Sequence, residues 1–134
     1  MIRNYLIKLS YENDTLRLVN SEKDLIYLES DLDSKNECYR STISSLQLKN
    51  CQNYIRIIHI DYLNKRLLSC GTNSNKPSCT WRSLYQIENV IEKFEGIGKC
   101  PQSPDSSLTY LQLKNGDLHS LIMNFILHTY NALF

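Results

Sequence analysis

The chain has 134 residues, of which 42% are hydrophobic and 22% charged, a globular composition at the length of one domain or part of one. Fifteen lysines and arginines against 14 aspartates and glutamates leave a net charge of +1, which excludes a polybasic nucleic-acid arm and an acidic solvating tail. No apolar stretch approaches the ~18 residues that a membrane-spanning helix needs; the longest candidate, residues 118–134, is interrupted by His119, Asn124, His128 and Asn131.

The N-terminus, Met1-Ile2-Arg3-Asn4-Tyr5-Leu6-Ile7-Lys8, places a lysine where a secretion signal needs an apolar core of about 7–15 residues, so no leader is read there. Residues 5–9, 15–19 and 25–28 then read as short strands, separated by turn signals at Asn13-Asp14 and Ser21-Glu22-Lys23-Asp24. Asn13-Asp14-Thr15 also fits the N-glycosylation acceptor pattern, a modification that requires the secretory pathway. Residues 31–50 are polar and serine-rich, with Ile43, Leu46 and Leu48 as the sizeable aliphatic anchors after Leu32, and predict a long connection with a cysteine near either end.

Residues 53–60 carry the strongest strand signal, since Tyr54, Ile55, Ile57, Ile58 and Ile60 dominate and Arg56 and His59 are the polar interruptions. Residues 61–65 form the predicted turn and Leu67-Leu68-Ser69-Cys70 the returning strand. Residues 71–77 are a turn-rich connection, and a further strand is expected over 80–84. Over 87–94 the apolar positions 87, 90, 91 and 94 have helical spacing, so a short helix competes with a distorted outer strand, and strand or irregular structure is preferred. Beyond Gly96, Gly98, Pro101 and Pro104, residues 109–113 and 118–123 flank Asn115-Gly116, a turn pair able to adopt positive φ. Two hairpins of similar logic, about 55 residues apart, suggest repeated sheets of the propeller kind.

Five cysteines, Cys38, Cys51, Cys70, Cys79 and Cys100, include no C-x2-C pair, which argues against a zinc ribbon or a thioredoxin-like centre and for disulfides. Their odd number leaves at least one thiol free or paired outside the segment. A Cys/His hydrolase would draw on Cys100 with His59, His119 or His128, yet no papain-like or caspase-like signature surrounds Cys100 and no G-x-S-x-G elbow is present. Gly96-Ile97-Gly98 lacks the third glycine of a phosphate-binding loop. No catalytic activity, metal, cofactor, nucleic acid or small-molecule substrate is therefore expected. Tyr5, Tyr27, Tyr54 and Tyr110 lie in strand-like runs, where packing is the default role.

Cys51-Gln52-Asn53-Tyr54-Ile55-Arg56, then Cys70-Gly71-Thr72-Asn73, Cys79 nine positions after Cys70, and Gly98-Lys99-Cys100-Pro101 form an ordered series that resembles the semaphorin family. The resemblance is best over residues 51–125, where Asn115-Gly116-Asp117-Leu118-His119-Ser120 is similar to a D-G-E-L-Y-S segment and Asn124-Phe125 to D-F. Before Cys38 it is thin, for Leu25-Ile26-Tyr27-Leu28-Glu29-Ser30 lacks the glycine and alanine of the family's L-Y-V-G-A strand. Pro101-Gln102-Ser103-Pro104-Asp105 also departs from the usual P-Y-D-P.

The resemblance implies an all-β fold, a partial β-propeller comprising roughly the first blade and the start of the second in a seven-bladed Sema propeller, with residues 1–134 as an incomplete Sema domain. It implies disulfides Cys38–Cys51 and Cys70–Cys79, with Cys100 left as a buried or unpaired thiol. It further implies an extracellular or cell-surface guidance ligand whose parent binds a plexin-type receptor, forms a homodimer and regulates axon growth and cell migration without catalysis. Alternatives are a Sema-domain receptor, of the plexin or scatter-factor-receptor type, and a small intracellular Cys/His enzyme. A propeller blade buries its faces against neighbours, so the segment alone is expected neither to fold stably nor to bind a plexin tightly.

Overall fold

The β-branched run ending at Ile60 becomes the first strand of a four-stranded antiparallel meander in the computed structural model, which describes residues 4–18, 23–113, 118–123 and 130–133. Its strands are β5 (Ile55–Asp61), β6 (Arg66–Gly71), β7 (Ser78–Ser83) and β8 (Val90–Glu95), hydrogen-bonded in chain order. Preceding them are β1 (Tyr5–Ile7), β2 (Ser10–Glu12), β3 (Thr15–Arg17), β4 (Leu25–Tyr27), an α-helix α1 (Leu32–Ser41) and a 3-10 helix over Ser45–Cys51. After them, β9 (Ser107–Gln112), β10 (Leu118–Met123) and β11 (Tyr130–Leu133) make a second antiparallel sheet, in the order β11-β10-β9. The Asn115-Gly116 turn falls outside the described residues.

Alternation along the meander separates two faces. Ile57, Cys70, Cys79 and Phe94 are cross-strand partners in one row, and Leu68 and Trp81 in the next row pack on the same cluster. Cys100 and Leu108 join that cluster, which ties the meander to the second sheet through β9. Between these rows, Ile58, Ser69, Thr80 and Lys93 form a row aimed at the opposite face, where the Ser69 and Thr80 hydroxyls are hydrogen-bonded at 2.9 Å. A second cluster of Leu6, Leu67 and Ile87, with Ile26, Leu28, Ile60 and Leu84 against it, joins the β1–β4 pair to the meander.

The competition over residues 87–94 ends in a strand. Ile87 is buried in the second cluster while Val90 and Ile91 are exposed, so the helical spacing marks no common buried face. β8 pairs with β7, and their register shifts between Trp81 and Arg82.

The long connection expected over residues 31–50 is instead mostly helical. Its pattern conceals this because α1 has no apolar stripe: Leu32 is 71% exposed, and the buried positions are Ser34 and Cys38. Asp33 in the first turn and Arg40 in the last suit the helix dipole. Ser41 Oγ and Thr42 Oγ1 donate to the Cys38 carbonyl, satisfying one of the acceptors that a helix end leaves without an intrahelical partner.

Candidate functional site

The strand entrance at Asn53-Tyr54 meets the strand exit at Gly71-Thr72-Asn73 at one end of the meander, where Ile55 pairs with Gly71. Asn73 has φ 44°, a left-handed conformation that asparagine tolerates, and sits buried at the centre of a polar node. Its backbone N–H donates to Asn53 Oδ1 at 2.9 Å, and its Oδ1 accepts from the Asp31 N–H at 2.8 Å. Its Nδ2 donates to Asp31 Oδ2 and to the Lys76 carbonyl, each at 2.9 Å. Asn53 Nδ2 donates to the Leu28 carbonyl at 3.0 Å, and Ser74 Oγ donates to Ser30 Oγ at 2.7 Å. Thr72 Oγ1 accepts from the Tyr54 N–H at 3.0 Å and donates to the Gln52 carbonyl at 3.2 Å. The node thus fastens the β4–α1 corner and the start of β5 to the end of β6.

Arg56 performs a second clamp. Its guanidinium donates to the Pro104 carbonyl and, at 2.7 Å, to the Ser106 carbonyl, pinning the segment that follows Cys100-Pro101. Arg82, which the sequence reading passes over, is buried on the polar face and donates to the Ile87 carbonyl at 3.0 Å, fixing the approach to β8. An arginine among alternating strand residues, at a position in phase with Thr80, was the available signal.

Polar clefts flank the Asn73 node. One of about 220 Å³ includes Asp31, Asn53, Ser69, Thr80, Arg82 and Lys93 in its wall. Its charges are spent locally, since Lys93 pairs with Asp31 and, nearby, Lys76 pairs with Glu37. The hydrogen bond from Lys93 holds the Asp31 carboxyl below its usual range, with a further contribution from Asn73 against the opposing effect of burial. At the β5–β6 turn, hydrogen bonds from the Asn64 side chain and backbone, and then from Arg66, hold Asp61 at about 2. Both carboxyls have lowered folded values, so their contribution to stability is complete above the ordinary value of 3.8 and is lost as pH falls through the folded values. Acid unfolding should therefore show a loss between pH 3.8 and about 2 that Asp61→Asn reduces, measured as the melting temperature across that window.

The structure contains disulfides Cys38–Cys51, which joins α1 to the end of the 3-10 helix, and Cys70–Cys79, which joins directly opposed residues of β6 and β7 with Cα atoms 4.1 Å apart. Cys100 is free and 2% exposed. Burial pushes its thiol up to about 12, with Arg56 opposing, so at neutral pH it is the protonated form, a poor nucleophile. Native protein should leave Cys100 unreacted with iodoacetamide and denatured, unreduced protein should alkylate it; rapid labelling of the native state would contradict the burial.

His59 lies on β5, and its Nε2 is buried without a hydrogen-bond partner, which leaves this nitrogen unpaired with the Cys100 thiol. His119 is opposite Leu111 in the second sheet, and His128 lies outside the described residues. Among the described residues no group of three or more His, Cys, Asp or Glu side chains is arranged to hold a metal ion. The cleft of about 270 Å³ beside His59 is walled by Trp81 and Phe94. Arg66 stacks on Trp81 at 4.0 Å and Lys99 on Phe94 at 4.8 Å, so cations cover its aromatic surfaces. No helix among the described residues is long and apolar enough to cross a membrane.

No protein-family model matches the chain. It is 35% identical to Semaphorin-5A of Rattus norvegicus over 118 residues, which are 88% of this chain and 10% of that protein. Its structure superposes on a chain from the complex of Drosophila Plexin A with Semaphorin 1b at TM-score 0.66 and 25% identity, over 89% of this chain and 21% of the other. Extracellular domains 1-2 of Drosophila Semaphorin 1a match at TM-score 0.64 and 27% identity, again over 89% and 21%. The chain belongs to the semaphorin family. It spans about a tenth of the length of the curated semaphorins it matches, and its antiparallel sheets are those of part of a Sema-type β-propeller. The family-like residues of this semaphorin chain do structural work: Asn53, Gly71, Thr72 and Asn73 build the node, and Arg56 clamps the segment leading to the second sheet.

Proposed function

We propose that residues 1–134 form an incomplete Sema domain, the N-terminal part of the Sema propeller of a secreted or cell-surface semaphorin, a guidance ligand that acts by binding a plexin-type receptor and performs no catalysis. The 35% identity to Semaphorin-5A across 88% of the chain carries this reading. The match to a chain of a Plexin A and Semaphorin 1b complex supports the choice of receptor class. The Cys38–Cys51 and Cys70–Cys79 bridges suit an oxidising compartment. In this reading the segment supplies a rigid blade, braced by the Asn73 node, on which the rest of the propeller is built.

The test is surface plasmon resonance with the full-length protein and a panel of plexin ectodomains. Saturable binding to at least one plexin is the expected result, and growth-cone or migration responses should follow its addition to cells that carry that plexin. A folded, secreted protein that binds none of the panel would overturn the reading.

A further inference from the structure

The β2–β3 hairpin carries an acceptor sequence at its tip. Tyr11 and Leu16 are directly opposed in register, as are Glu12 and Thr15, and Asn13 and Asp14 make the turn with φ of 49° and 58°. Both are positive, as the tight turn that matches strand twist requires. Asn13 is exposed. Tyr11, two residues before Asn13 on β2, reaches across the turn, where its hydroxyl donates to Asp14 Oδ1 at 2.8 Å. Tyr11 is 68% and Leu16 66% exposed, an apolar pair open to solvent at the tip of a two-stranded ribbon.

We propose that Asn13 is an N-glycosylation site whose first sugar ring packs against Tyr11. The inference rests on the secretory reading above, since the acceptor pattern Asn13-Asp14-Thr15 is used only there. The co-reactant is an oligosaccharide carried on a lipid diphosphate, transferred before the hairpin closes. The bond from sugar C1 to the phosphate oxygen breaks, and a bond from Asn13 Nδ2 to C1 forms. One Nδ2 proton passes to a base of the transferase, and the lipid diphosphate leaves with the bonding electron pair. A pyranose has a C–H-bearing face, and an exposed aromatic ring two residues before the acceptor offers it a flat apolar surface. The glycan would cover the Tyr11–Leu16 pair and shield the hairpin edge from association with other chains.

The experiment is glycopeptide mass spectrometry on the full-length protein secreted from insect or mammalian cells, with peptide-N-glycosidase converting an occupied Asn13 to aspartate. Occupancy in most molecules is expected, abolished in Asn13→Gln and kept in Thr15→Ser. Enzymatic removal of the glycan should lower the melting temperature, and Tyr11→Ala should at least halve that difference. Unmodified Asn13 in secreted protein whose Cys38–Cys51 peptide is bridged would overturn the inference and leave the functional reading standing. Unmodified Asn13 together with free Cys38 and Cys51 in protein confined to the cytosol would overturn the secretory reading itself. A melting difference unchanged by Tyr11→Ala would overturn the packing against Tyr11.

Discussion

Gly71→Ala is expected to destabilise the domain by about 3 kcal/mol, the scale of overpacking combined with a broken buried hydrogen bond. A Cβ at this position would lie 2.2 Å from Asn53 Oδ1 and 2.9 Å from its Cγ. Asn53 cannot swing aside freely, because its Oδ1 accepts from the Asn73 N–H and its Nδ2 donates to the Leu28 carbonyl. Either β6 shifts, disturbing its ladder with β5, or Asn53 leaves and the buried Asn73 N–H loses its acceptor. Denaturant unfolding measures the cost. The decisive comparison is a double-mutant cycle with Asn53→Ala: removing the side chain that the methyl strikes should make Gly71→Ala much cheaper. Equal costs in both backgrounds would mean that the close approach at Asn53 is not what requires glycine.

Removing the Cys70–Cys79 bridge by a double alanine substitution should cost about 3–5 kcal/mol. Chain entropy alone accounts for about 3 kcal/mol for a short loop. The remainder comes from truncating two fully buried side chains within the cluster of Ile57, Leu68 and Cys100. The corresponding change at Cys38 and Cys51 should behave differently, because the buried residues of α1 are Ser34 and Cys38, so the bridge cysteine is its one buried apolar anchor. Its loss should appear as faster amide exchange confined to residues 32–41, with a smaller effect on global unfolding. Secretion yield and melting temperature rank the two bridges. A larger global effect at Cys38–Cys51 would reverse the assignment of the core bridge.

Much of the sheet was legible because strand signals are local. In β5, Ile57 and its β-branched neighbours mark a pleated, half-buried surface irrespective of what packs on it. Leu67-Leu68 and the residues around Trp81 do the same for β6 and β7. β2 and β11 carry little strand signal; β2 is only three residues long, and β11 has only Tyr130 and Leu133 as sizeable apolar residues. At the candidate site, Gly71 to Pro77 reads as a turn on composition, but nothing in that composition identifies Asn73 as the residue on which the β4–α1 corner hangs.

The sequence by itself determined the strand-rich class, the order of the principal hairpins and the semaphorin resemblance. Tertiary structure alone decided that residues 32–41 are helical, that Asn73 bonds Asp31 across 42 residues of chain, in which strand register Cys70 meets Cys79, and that Cys100 packs in one cluster with Ile57 and Leu68. The division follows from range. Alternation of side chains is written into neighbouring residues, whereas a helix without an apolar stripe, a buried amide hub and a thiol's environment exist only once distant segments meet and exclude water.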